Sequence, residues 1–100
     1  MTIDRVYVGE VGKIIDIDMG VDISLASAYE LCVRKPDGSE VIWAPAILSG
    51  GQILEYVTET GDLDIAGDWI IQPWLEIGIW IGYGDPVNLT VYSIFSEEGM

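Results

Sequence analysis

Carboxylates dominate the side chains of this sequence that could do chemistry. Asp16-Ile17-Asp18 with Asp22, and Asp62-Leu63-Asp64 with Asp68, place oxygen donors at spacings that could reach a calcium ion. A helix–loop–helix calcium loop needs Asp-x-Asp-x-Asp-Gly with a closing Glu, and neither cluster supplies that pattern. Asp16 and Asp18 fall on the polar side of an alternating segment, and turn capping accounts for Asp62 and Asp64. A second chemistry is glycoside hydrolysis, in which two carboxyl groups stand roughly 5–10 Å apart in a cleft. Among 17 Asp+Glu some pair meets that spacing by chance, and 100 residues leave little room for such a cleft. There is no histidine, which removes the commonest general base and the commonest zinc ligand. Cys32 is the single cysteine, so it has neither a disulfide partner nor a thiolate cluster to join, and no base stands ready to activate it. Arg34-Lys35 runs straight into a turn and reads as a solvated strand end rather than a phosphate site. The expectation is a protein without catalytic residues, metal or cofactor. A third chemistry is sugar stacking by Trp74, Trp80 and Tyr83, but these aromatics are mixed with Ile79 and Ile81, which suit protein contacts better than hydroxyl-rich rings.

The elements that must position these residues are short. Half of the chain is hydrophobic, enough for a packed core, and its length predicts one domain over residues 1–100. The balance of 4 Lys+Arg against 17 Asp+Glu, a formal net charge of -13, argues against nucleic acid and anionic membranes as partners, since both are polyanions. Residues 1–6 lack a basic segment followed by an apolar run, so no signal peptide is expected. The longest apolar stretch, Trp69 to Tyr83, is broken by Gln72, Pro73, Glu76, Gly78 and Gly82 and is too interrupted for a membrane helix. Synthesis in a cytoplasm follows as the expectation.

Runs rich in Val, Ile, Tyr and Trp are cut by Gly, Pro, Asp and Ser, the mark of many short strands. Strands are predicted at Val6-Tyr7-Val8, Lys13 to Asp18, Ala28 to Lys35, Glu40 to Ala46, Gln52 to Thr58, Asp68 to Ile77 and Val87 to Phe95. Pro36-Asp37-Gly38-Ser39 is the strongest local signal: Pro presets the first corner, Asp caps its own turn and Gly accepts a positive φ. It predicts a hairpin between Ala28–Lys35 and Glu40–Ala46. No segment holds helical periodicity, and turns recur about every 8–12 residues, so an all-β sandwich is expected. Met19 to Ser27 and Thr60 to Gly67 read as connections, and Trp69 as the aromatic plug of the core.

Several stretches, taken in order, resemble one known family. They are Tyr7-Val8-Gly9, Asp18 to Asp22, Val33 to Ser39, Thr60 to Trp69 and Leu89 to Tyr92. The combination is similar to the immunoglobulin-like domain at the N-terminus of phage baseplate upper proteins and in small stand-alone phage virion proteins. That resemblance implies an Ig-like antiparallel β-sandwich of about seven strands. It further implies a non-enzymatic virion component, docked on tail, baseplate or capsid through other phage structural proteins, with copies of itself in the particle an open arrangement. The chain departs from the family pattern at residues 78–84, Gly-Ile-Trp-Ile-Gly-Tyr-Gly, which is apolar where a polar connection belongs. The family's docking surface is therefore not carried over residue by residue.

A docking surface is instead read from the surplus of apolar residues. On Asp68 to Ile77, Trp69, Ile71, Pro73, Leu75 and Ile77 share one face while Ile70 and Trp74 take the other. On Val87 to Phe95, Val87, Leu89, Val91 and Phe95 face inward, and Tyr92 and Ile94 outward. Outer faces are ordinarily polar, and contiguous apolar surface marks an interface. The expected contact residues are Ile70, Trp74 and Tyr92 on the sheet, with Ile79, Trp80, Ile81 and Tyr83 at the hairpin tip. A carbohydrate-binding host-recognition module is the alternative.

Overall fold

The protein is described here by a computed structural model covering residues 5–95. Its elements are β1 (Val6–Tyr7), β2 (Ile14–Asp18), β3 (Ala28–Arg34), β4 (Glu40–Trp43), β5 (Ala46–Ile47), β6 (Ile53–Val57), β7 (Gly67–Ile77), β8 (Trp80–Tyr83) and β9 (Val87–Tyr92). Among the described residues no helix is long and apolar enough to cross a membrane.

Two sheets enclose the core. The larger runs β1-β9-β7-β3-β4, with β8 also paired to β7, and the smaller runs β2-β6-β5. This is the immunoglobulin-like division into a three-stranded layer and a layer centred on consecutive hairpin partners. Counting β4 with β5, and β8 with β9, as single strands interrupted by a bend leaves seven. One pairing departs from the antiparallel expectation: β1 lies parallel to β9, Val6 opposite Val91.

The turn at Pro36–Ser39 closes β3 onto β4 as its sequence requires. Lys35 N–H donates to Ser39 O at 2.8 Å, Gly38 N–H to Lys35 O at 2.9 Å, and the Asp37 carboxylate accepts from Ser39 N–H at 2.9 Å. Both Ser39 donors hold the Asp37 carboxyl below the usual carboxylate range. The expected strand Glu40–Ala46 is divided. Its first part pairs with β3, whereas Ala46 and Ile47 pair with Glu55 and Leu54 in the other sheet. Pro45 lacks a ladder donor and is buried at the crossing, which turns the chain from one layer to the next.

Inward-facing Leu31, Val33, Trp43, Trp69, Ile71, Leu75 and Val91 pack against Ile17 and Leu54. Trp43 stacks on Tyr56 of the opposite sheet, centroids 4.6 Å apart at 10°, and leans on Trp69 at 6.1 Å. The aromatic plug is thus three rings, of which Trp69 is one. Ile23 and Leu63, from segments read as mere connections, are fully buried as well. At the other end the last strand stops at Tyr92, short of the expected Phe95. Phe95 is 94% exposed with φ 61°, so it points into solvent instead of sharing the Val91 face.

Candidate functional site

The carboxylates are engaged in local structure. Asp18 accepts from Gly20 N–H and Asp22 from Ser24 N–H, each at 2.9 Å, and Ser24 lowers the Asp22 pKa. Asp62 accepts the Tyr56 hydroxyl and, at 2.7 Å, Glu59 N–H. Burial first, then Asp62, pushes the Tyr56 phenol well above its usual range, so it stays a donor. Asp64 holds the Lys35 ammonium at 2.9 Å beneath the Trp69 ring, and Asp68 accepts from Thr90 Oγ1 at 3.1 Å. Among the described residues no three metal-donor side chains converge. Cys32 sits half-buried at the centre of the large sheet, where burial first, then Glu30 and Glu40, raises its thiol pKa. A thiol so placed is protonated at neutral pH and a weak nucleophile.

What remains is an apolar surface on the outer face of the large sheet. Register fixes its rows. Arg34 lies beside Ile70, Cys32 beside Gln72 and Glu30 beside Trp74, while Trp74 neighbours Tyr83 and Glu76 neighbours Ile81. Ile42 extends the Cys32 row onto β4. A concavity of about 440 Å³ opens here, lined by Cys32, Ile42, Ile70 and Tyr83 and closed at one end by the Arg34–Glu40 ion pair at 2.7 Å. Sequence reasoning missed Ile42. Strict alternation across Glu40–Trp43 puts Val41 and Trp43 inward and Ile42 outward, and that signal was available.

The residues read from sequence as a contact surface divide into three groups. Ile70, Trp74, Ile81 and Tyr83 are brought together on the outer face, Ile81 and Tyr83 each 60% exposed. Ile79 is fully exposed in the two-residue turn between β7 and β8, where Gly78 has φ 59°, the positive value that a hairpin turn with glycine first demands. The supposed tip at residues 78–84 is therefore a short returning strand, and only Gly78 and Ile79 form the tip itself. Trp80 pairs with Ile77, so it takes the face opposite Ile81 and Tyr83, where it stays 47% exposed while its ring lies across Gly82. A Cβ at Gly82 would stand 2.6 Å from the indole Cζ2, so the glycine makes room for the ring. Tyr92 is separated from the patch by Asp68, Thr90 and Asn88. It packs against Tyr7, centroids 6.1 Å apart, with the Arg5 guanidinium 4.8 Å above its ring.

The geometry offers hydrophobic burial on the outer face of the large sheet. Comparison with family models, with curated proteins and with solved structures finds no match to this chain.

Proposed function

We propose that this chain is a non-enzymatic structural component of a bacteriophage particle, an Ig-like module that docks onto a larger tail, baseplate or capsid assembly. The observation that carries the reading is the group of exposed Ile42, Ile70, Ile81 and Tyr83 beside half-buried Trp74 on one sheet face, extended by Ile79 at the turn. Contiguous apolar area of this kind on a small domain marks a protein contact, and its aromatic members are the residue types that anchor interfaces. The ordered sequence resemblance supplies the setting, other virion structural proteins the partners, and the virion the location.

The test is occupancy. Particles assembled with Ile81→Asp and with Tyr83→Ala should contain a small fraction of the normal amount of this protein, while each isolated variant keeps its far-ultraviolet spectrum and melting temperature. Normal occupancy of both variants would move the contact away from this face. A carbohydrate-binding reading has one observation in its favour: Trp74 and Tyr83 are cross-strand neighbours. Hydrogen-bonding groups beside them are few, since the Gln72 amide already donates to Gly84 O at 3.0 Å. Quenching of tryptophan fluorescence by host polysaccharide would favour it over docking.

A further inference from the structure

Hydrogen-bond phase shows which backbone groups of β8 face its open edge. Gly84 N–H donates to Pro73 O at 2.9 Å. In an antiparallel ladder the residues that exchange backbone bonds alternate with those that do not. Gly84, Gly82 and Trp80 therefore turn their backbone groups toward β7, and Ile81 and Tyr83 turn theirs away. No strand among the described residues receives them, because β8 pairs only with β7 and β1 lies along β9.

Exposed strand edges are normally guarded by charge, proline or brevity. The outer strand β4 carries Glu40 in its ion pair with Arg34, and β2 carries Asp16 and Asp18. The edge strand β5 has two residues and follows Pro45. By contrast, residues 77–84 contain neither a charged residue nor a proline, and Ile79, Ile81 and Tyr83 are exposed along them.

We propose that the open edge of β8 accepts an extended segment of a partner protein as an added strand, one that carries Lys or Arg beside alternating apolar side chains. The inference rests on the docking reading above and names how the partner engages. Main-chain bonds to Ile81 and Tyr83 supply affinity, and side chains beside theirs continue the apolar face, as in strand addition generally. Charge selects the partner: Glu76 flanks Ile81, Glu30 flanks Trp74, Asp85 follows β8, and the chain carries -13 in all. A second copy would bring the same charge. A strand of 4 residues also buries far less than the roughly 1,000 Å² that a stable interface needs, so that repulsion is not offset.

The experiment titrates the isotope-labelled full chain with two synthetic peptides of about nine residues, one alternating Val with Lys and the other Val with Glu. The Lys peptide should slow solvent exchange of the Ile81 and Tyr83 amides by about tenfold or more, leaving Gly82 and Gly84 unchanged, and the Glu peptide should bind at least about tenfold more weakly. Ile81→Pro removes an outward N–H without touching the ladder to β7 and should abolish protection at Tyr83. If that variant fails to fold, Ile81→Lys keeps the N–H, adds like charge and should weaken the Lys peptide by about tenfold. Unchanged exchange at Ile81 and Tyr83 overturns strand addition, and equal binding of the two peptides overturns the basic partner. Protection that grows with protein concentration alone assigns the edge to a second copy. Shifts confined to Cys32, Ile70 and Trp74 would remove strand addition and leave docking standing. Protection of β8 by peptide with normal particle occupancy of Ile81→Asp would do the reverse.

Discussion

Trp69 joins three interactions in one side chain. It is fully buried, its Nε1 donates to Ile65 O at 2.9 Å, and the Lys35 ammonium held by Asp64 stands 5.6 Å from its ring. The corner between β6 and β7 is thereby tied to the strand that follows it, the task a tyrosine hydroxyl performs in other Ig-like domains. Trp69→Ala should destabilise by about 3–5 kcal/mol, and Trp69→Phe, which keeps most of the packing but orphans the carbonyl, by about 1–3 kcal/mol, measured by urea unfolding. Glu55 illustrates the opposite sign. It faces Asp16 across β2 and β6, and desolvation first, then that neighbour, raises its pKa. A carboxyl whose folded pKa lies above its unfolded value contributes stability when protonated, and loses it as pH rises through the folded value. At neutral pH the pair therefore repels. Glu55→Gln should raise the melting temperature at pH 7, and the gain should vanish below about pH 4, where both forms of the side chain are neutral.

At the scale of elements, β8 depends on an exchange of volume between Trp80 and Gly82. Gly82→Ala, ordinarily neutral or favourable in a strand, should here destabilise by about 1 kcal/mol and shift tryptophan emission to the red as the indole swings outward. In a Trp80→Ala background the same substitution should cost nothing. An equal cost in both backgrounds would show that the ring does not use that space. The same strand marks where the sequence was legible and where it was not. Period-2 alternation placed β2, β3, β6 and β7 within a residue or two, because each has one face on the core and one on solvent. That logic fails for β8, whose residues are apolar or glycine on both faces, so its alternation carries no contrast. It fails again at Ala44-Pro45, where one run of strand-forming residues serves two sheets in turn. Ile23 and Leu63 were illegible for another reason: a lone apolar residue in a polar connection has no period to reveal it, and only the three-dimensional closure of the sandwich ends shows that each plugs a gap. Of the contact surface, the sequence revealed that Ile70 and Trp74 face outward, and register then joined them to Ile81 and Tyr83 and set Tyr92 apart.

Over the whole molecule, charge is the least compensated quantity. The cations are occupied locally: Arg34 with Glu40, Lys35 with Asp64, Lys13 near Glu10 at 3.9 Å, and Arg5 over Tyr92. The remaining carboxylates repel one another across a body measuring 47 × 31 × 24 Å. At 0.01 M ionic strength the Debye length is about 30 Å, so nearly every charge senses the others, whereas at 0.15 M it is about 8 Å and only neighbours interact. Added salt also weakens the ion pairs, but exposed pairs contribute at most about 1 kcal/mol each and the net charge of -13 outnumbers them. Raising sodium chloride from 10 to 150 mM should therefore raise the melting temperature by about 4–8 °C, the shift expected for about 1 kcal/mol in a domain of this size. Calcium provides the sharper comparison. A ligand that binds only the folded state raises stability in proportion to the logarithm of its concentration, beyond any screening. Calcium and magnesium chloride at equal concentration should give superimposable melts, because Asp18, Asp22, Asp62, Asp64 and Asp68 are committed to turns, a lysine and a threonine. A rise with calcium that magnesium does not reproduce would mean that one of these clusters rearranges to coordinate the ion, and the loop between β6 and β7, where Asp62 and Asp64 flank Leu63, is the first place to look for it.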